Sequence, residues 1–231
     1  MAFPQADSTV KVLRDVSCEL RSPTTAVLGL NGSGKSTFLK LFNGLVEPTA
    51  GTVSVNGLTV EEHLMAVRRH VGLLFSDPQA QLIMPTPVED VELSLRRSVS
   101  DIEQRRQRAL QILAQRGLAH RAHHSVYDLS GGERQLAALS AVLAVEPRVL
   151  LLDEPTTLLD LQNKLKLLKL LESLDQQLVI STHDLELAAT CNEALVIHRG
   201  RLIAQGPSSA VIADYRRWCA EGFPGDEPDA S

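Results

Sequence analysis

The stretch "TAVLGLNGSGKST" constrains this chain of 231 residues more tightly than any other part of it. Thr25 to Leu30 is a short apolar run that reads as a buried strand, and a helical pattern follows from Lys35 to about Val46. Between them Gly29, Gly34, Lys35 and Ser36 fall at the spacing of a phosphate-binding loop, in the strand–loop–helix context such a loop requires. Its glycines let backbone N–H groups approach phosphate oxygens, and the helix N-terminus adds partial positive charge. On this reading Asn31, Gly32, Ser33 and Gly34 wrap the phosphates, and Lys35 reaches the β- and γ-phosphates. Ser36 offers its hydroxyl to Mg2+, and Thr37 adds a further phosphate contact.

A second apolar run, "VLLLDEP", ends in two carboxylates. Alone, such a pair is a solvated strand end. Beside a phosphate loop it gains a purpose, because the bound nucleotide needs a carboxylate for Mg2+ at a strand terminus. Asp153 is then the metal-side acid, and Glu154 is placed to polarise an attacking water. The pair points to a hydrolase rather than a kinase, which must exclude water from the γ-phosphate.

"HVGLLF" and "QLVIST" read as further buried strands. "GTVSVNGLTV" reads as a hairpin turning at Asn56-Gly57, and "ALVIHRGRLIAQG" as a terminal hairpin. "VKVLRDVSCEL" is the strand pattern of an N-terminal antiparallel β region. Short apolar strands alternating with helices imply an α/β fold with a largely parallel sheet. Residues 76–140 carry helical patterns only, with one helix expected from Pro87 to about Leu118, and so form a helical subdomain inserted in the core. A single domain is expected over residues 1–218. Residues 219–231, which contain "GFPGDEPDAS", are expected to be a disordered tail.

Composition removes several alternatives. Aromatic residues make up 3% of the chain and the net charge is −5, which argues against a nucleic-acid-binding surface. Cys18, Cys191 and Cys219 follow no metal-ligand spacing and read as reduced thiols. No run is long enough to cross a bilayer, and the N-terminus has no charged-then-apolar signal.

"LSGGERQ", Leu129 to Gln135, supplies two glycines after a serine at the start of a helix. On its own this is an N-capped helix with Ser130 as the cap. Together with the phosphate loop, the acid pair and "STHD", it resembles the ATP-binding-cassette (ABC) ATPase domain, in the family's order from about Val12 to Ile212. The resemblance implies a head-to-tail homodimer. Each ATP would lie between the phosphate loop of one protomer and Ser130, Gly131 and Gly132 of the other, with Asp160 of "TTLLD" at the same interface. His183 would serve the γ-phosphate and the water held by Glu154. ATP would close the dimer and hydrolysis would release it.

Three kinds of ABC protein compete. Repair-type members carry a long coiled coil between phosphate loop and signature, and the interval from Lys35 to Ser130 has no room for one. Translation-type members resemble two cassettes in one chain. The energising subunit of a transporter remains. "DPQAQLIMPTPVEDV" and "EPTTLLDL" resemble the energy-coupling-factor (ECF) transporter ATPases. That likeness implies a membrane coupling subunit, a substrate-binding membrane subunit and a position at the cytoplasmic face of the cell membrane. Biotin or another vitamin is the first expected cargo, and cobalt or nickel the next. A soluble ABC ATPase acting on DNA is the alternative from a different class.

Two departures from the family stand out. The aromatic residue that stacks on adenine has no clear equivalent: Phe3 is the candidate, with Val10 or Val12 as apolar substitutes. The usual glutamine after strand "HVGLLF" is Ser76. Gln79 sits where an acid is common, and Gln81 matches a second glutamine of ECF-type loops. Ser76 is expected to act through a bridging water, and Gln81 with the Pro85–Pro87 segment to face the membrane subunit.

Overall fold

The computed structural model describes residues 12–226. Six strands form the main sheet in the order β4-β5-β6-β1-β7-β8. They are β1 (Thr24–Leu28), β4 (Val71–Leu74), β5 (Val149–Asp153), β6 (Gln177–Ser181), β7 (Glu193–His198) and β8 (Arg201–Pro207). The first five are parallel and β8 returns antiparallel to β7. Strands covered on both faces are apolar throughout rather than alternating, as "VLLLD" and "ALVIH" are.

Period-two alternation divides these strands between two cores. Leu28, Leu150, Leu152, Ile180 and Val196 face α3 (Pro87–Leu95), α4 (Ile102–Gln115), α5 (Gly131–Leu143), α6 (Leu161–Glu172), α7 (Leu185–Ala189) and α8 (Ser208–Glu221). Val27, Leu151, Val179, Leu195 and Ile197 face α1 (Lys35–Phe42), whose Phe38 and Leu39 are buried. Each fully buried Leu or Ile contributes about 1.5–3 kcal/mol of transfer free energy. A separate hairpin pairs β2 (Ser54–Val55) with β3 (Leu58–Thr59) through Asn56 and Gly57, both at positive φ, as the Asn-Gly turn requires.

Three expectations change. Residues 12–23 hold no strand. Arg14 N–H instead donates to the Gly200 carbonyl at 2.7 Å, tying this segment to the β7–β8 turn. The helix expected from Pro87 to Leu118 is two helices, because Asp101 begins a new one by accepting the Gln104 N–H at 2.8 Å. Of the expected disordered tail, residues 219–226 are placed: α8 runs to Glu221, Phe223 is buried and Asp226 bonds to His198, while residues 227–231 lie outside the described residues. Apolar residues at helical spacing in α8 (Val211, Ile212, Tyr215) anchor it on the sheet. A further short helix, α2 (Leu64–His70), precedes β4. The helical subdomain lies between β4 and β5, so it hangs from the edge strand.

Candidate nucleotide site

Three adjacent parallel strands bring the chemistry to one rim of the sheet. The phosphate loop follows β1, the acid pair ends β5, and "STHD" ends β6 between them. The register aligns Asp153 with Ser181 and Ser181 with Val27. Ligands in open α/β sheets bind at this kind of rim, beyond the carboxyl ends of the strands.

The loop starts at Gly29 with φ 151°, where a Cβ would collide with the Ile197 carbonyl. It ends at Gly34, φ 109°, the residue before the first turn of α1. A cavity of about 250 Å3 lies over it, bounded by residues 31–37, Val12 and Glu154. Asn31, Gly32, Ser33, Gly34, Lys35, Ser36 and Thr37 all line this space, as the sequence pattern predicts. Val12 also borders it, while Phe3 and Val10 lie outside the described residues.

Lys35 is buried. Its Nζ donates to the Gly29 carbonyl at 2.8 Å and the Leu30 carbonyl at 3.3 Å, and sits 3.6 Å from Glu154 Oε1. Ser36 Oγ donates to Asp153 Oδ1 at 3.0 Å, joining the loop to β5. The same Asp153 oxygen accepts from Ser181 Oγ at 2.5 Å. Glu154 takes φ 48°, in the left-handed region, and its N–H bonds the Ser181 carbonyl at 3.0 Å. That turn aims its carboxylate at the rim, where Oε2 lies 2.8 Å from His183 Nδ1 and accepts the His183 N–H at 3.3 Å. Lys35 and Glu154 thus border the cavity over the loop, while His183 stands outside its lining and meets it only through Glu154.

Ser130, Gly131, Gly132 and Asp160 meet elsewhere, and none of them borders that cavity. Ser130 caps α5 in a reciprocal box: Glu133 N–H donates to Ser130 Oγ at 3.3 Å, and Ser130 N–H to Glu133 Oε2 at 2.8 Å. The Ser130 N–H, with help from Arg121 at 2.8 Å, holds the Glu133 carboxyl down to about 2. Asp160 caps α6 through the Asn163 N–H at 2.8 Å. Gly132 packs so closely on Asn163 that a Cβ would come within 2.6 Å of its amide. The signature segment and the Asp160 turn therefore pack side by side, with Ser130 and Asp160 exposed and Gly132 buried between them. Sequence reasoning missed Ser181. Its polar position at the end of an otherwise apolar strand, just before "THD", was the available signal.

Residues 13–157 match the sequence profile of the family described as ABC transporter. The chain belongs to the ABC transporter ATPase family. It is the ATP-binding, ATP-hydrolysing component of an ABC transporter. It is 41% identical over 211 residues to the biotin transport ATP-binding protein BioM of Rhizobium etli, covering 90% of this chain and 92% of that one. The energy-coupling factor transporter ATP-binding protein EcfA2 of Methanospirillum hungatei is 36% identical over 224 residues, which is 92% of this chain and 55% of EcfA2. Among solved structures, the dimeric MJ0796, a bacterial ABC transporter cassette, superposes with a TM-score of 0.81. The identity is 28%, and 89% of this chain and 94% of that one are covered. The α/β architecture with a mostly parallel sheet is that of the ABC cassette.

In this ABC cassette the loop after β4 differs from expectation. Ser76 is exposed, as is Gln79. Gln81 turns inward: its Nε2 donates to the Leu73 carbonyl at 2.9 Å, and its Oε1 accepts the Phe75 N–H at 3.0 Å. One N–H and one lone pair of the amide bond the backbone at the end of the edge strand, which fixes the Gln81 side chain there. Buried Asp90 pins the next residues by accepting the N–H groups of Ile83 at 3.1 Å and Met84 at 3.2 Å. Burial pushes its carboxyl up, and these two bonds oppose the rise. Thr86 and Glu89 form a capping box on α3 and Pro87 is buried, which leaves Ile83 and Pro85 as the exposed side chains. Among the described residues no helix is long and apolar enough to cross a membrane.

Proposed function

We propose that this cassette is the energising subunit of an ECF-type uptake transporter, seated at the cytoplasmic face of a membrane. It would work with a membrane coupling subunit and a substrate-binding membrane subunit. Biotin or another vitamin is the first cargo, and cobalt or nickel uptake is the alternative. The observation that carries this reading is the likeness to BioM over nine-tenths of both chains. The EcfA2 likeness and the "PTPVEDV" segment agree with it.

A groove of about 880 Å3 between α2, α3, α4 and α5 suits the coupling subunit. Arg68, Arg69 and Arg97 line it beside exposed Val145, while Arg108 is paired with Glu146 at 3.4 Å, so its net positive charge matches an amphipathic helix with an acidic flank. Ile83 and Leu93 continue the apolar strip past Ser94. Gln81 borders the same strip, so docking would engage the groove and Ile83 with Gln81 at its margin.

At the nucleotide, Lys35 exchanges its carbonyl partners for phosphate oxygens and neutralises their charge. Glu154 orients the attacking water and accepts its proton, while His183 fixes the Glu154 carboxylate and reaches the γ-phosphate. Ser36 and Asp153 suit Mg2+, because both offer hard oxygen atoms from neighbouring positions. Bound there, the ion would spread the negative charge of the phosphates. Ser130, Gly131, Gly132 and Asp160, displaced from the cavity of their own chain, serve the second protomer of a head-to-tail homodimer. The dimeric MJ0796 cassette supports that arrangement.

Capture of membrane partners from native membranes, followed by uptake assays with labelled biotin and cobalt, tests the reading. Uptake that fails with Glu154→Gln supports it. Stimulation by DNA without any membrane partner would overturn it.

A further inference from the structure

The geometry points to Asp226 as a positioning residue for nucleotide binding, acting on the phosphate loop through the β7–β8 turn. That turn, Arg199-Gly200, is wedged against the loop. Gly200 N–H donates to the Ser33 carbonyl at 3.0 Å, and the Gly200 carbonyl accepts from Arg14 N–H at 2.7 Å. Just before it in β7, the Ile197 carbonyl abuts Gly29, where a Cβ would collide. The turn therefore walls both ends of the phosphate loop and holds the segment that brings Val12 to the cavity.

The turn does not rest easily in this conformation. Arg199 has φ 47°, a left-handed geometry that is costly for a residue with a Cβ. The last described residues brace it from outside. Asp226 Oδ1 lies 2.9 Å from Arg199 Nη1 and 2.9 Å from His198 Nε2. The His198 ring stacks on Phe223 at 4.1 Å and 2°, and Phe223 packs against Tyr215 and Trp218 of α8. Asp226 N–H donates to the Phe223 carbonyl at 3.1 Å, closing the turn that presents its carboxylate. One carboxylate thus grips the two residues that precede Gly200, and Gly200 grips the phosphate loop. Asp226 touches neither the cavity nor Glu154, so it bears on nucleotide affinity and leaves the hydrolytic step to others.

This rests on the phosphate loop being the nucleotide site, and the experiment separates the two ideas. ADP affinity by isothermal titration, ATP KM and kcat are measured for the native chain, Asp226→Ala, and Asp226→Ala with Arg199→Gly. Asp226→Ala is expected to raise the ADP Kd and ATP KM roughly fivefold while kcat falls no more than about twofold. Adding Arg199→Gly should return both constants towards native, because glycine takes the left-handed turn without a brace. Asp226→Asn keeps an acceptor for His198, removes the charge facing Arg199, and carries the same test if the alanine variant does not fold. Unchanged constants, or raised ones that Arg199→Gly does not lower, would overturn the proposal. A native chain that binds no ADP would remove the nucleotide-site reading itself.

Discussion

Gln81 occupies the open edge of β4, its side-chain nitrogen donating to the Leu73 carbonyl at 2.9 Å. With the Phe75 N–H bond to its oxygen, one side chain does what a neighbouring strand would do there. Replacing it with leucine leaves two partly buried backbone groups without partners, a loss of about 1–3 kcal/mol. Chemical denaturation is expected to register that loss while the folded fraction keeps its hydrolysis rate. A fully stable variant with collapsed turnover would instead give Gln81 a role at the nucleotide.

Glu154→Gln retains the shape of the side chain and removes the carboxylate proposed as the base. Turnover is expected to fall by about two to four orders of magnitude, the usual contribution of a positioned general base. ATP binding should persist, and sedimentation with ATP should reveal more dimer than for the native chain. Near-normal steady-state hydrolysis would take the role of base away from Glu154.

Ser36 and Asp153 share one hydrogen bond across the loop and β5, and both are oxygen donors. Chelation by EDTA is expected to abolish hydrolysis, and added Mg2+ to restore it. Asp153→Asn should raise the Mg2+ concentration for half-maximal activity at least about tenfold, since it removes the charge that attracts a hard cation. Full activity in EDTA would leave this pair with a purely structural bond to Ser181.

Neither Lys35→Ala nor Ser130→Arg alone should hydrolyse ATP at an appreciable rate. Mixed, they can form a dimer with one intact composite site, because each defect lies on a different half. Partial recovery in the mixture, read as ATPase activity, is the expected outcome. Proven mixing with no recovery would argue against assembly of the site from two protomers.

The Glu133 carboxyl, held down to about 2 from 4.5, links the signature helix to pH. Its folded value lies below its unfolded one, so its contribution to stability is complete above 4.5 and drains away as pH falls towards 2. Glu133→Gln keeps an acceptor and removes the titration. Urea midpoints measured through that window should fall less steeply for the variant, and equal slopes would contradict the assignment.

The phosphate loop was legible because its constraint is local: glycine spacing, a strand before it and a helix after it. The acid pair and His183 were legible for the same reason, each ending a run of buried residues. Gln81 was not, because its role depends on β4 being the edge strand, and strand order is decided by contacts distant in sequence. The signature serine could be read as a cap, and Glu133 confirms the box. The segment at residues 12–23 has strand composition but bonds to the β7–β8 turn, where tertiary contact outweighs propensity. The Gly- and Pro-rich end suggested disorder. Phe223 escaped that reading because its stacking partner, His198, lies on β7.

The helical subdomain leaves the sheet at β4 and returns at β5, so it hangs from the rim strand while β5, β6 and β1 carry the chemistry. Residues lining the groove can therefore change across generations without shifting Asp153, His183 or the phosphate loop. If the groove receives the membrane subunit as proposed, a lineage could retarget such a chain by substitutions on α2, α3 and α4. The row of strand ends, registered strand against strand, has no such latitude: a single-residue deletion within β6 would turn Ser181 away from Asp153 to the other face of the sheet.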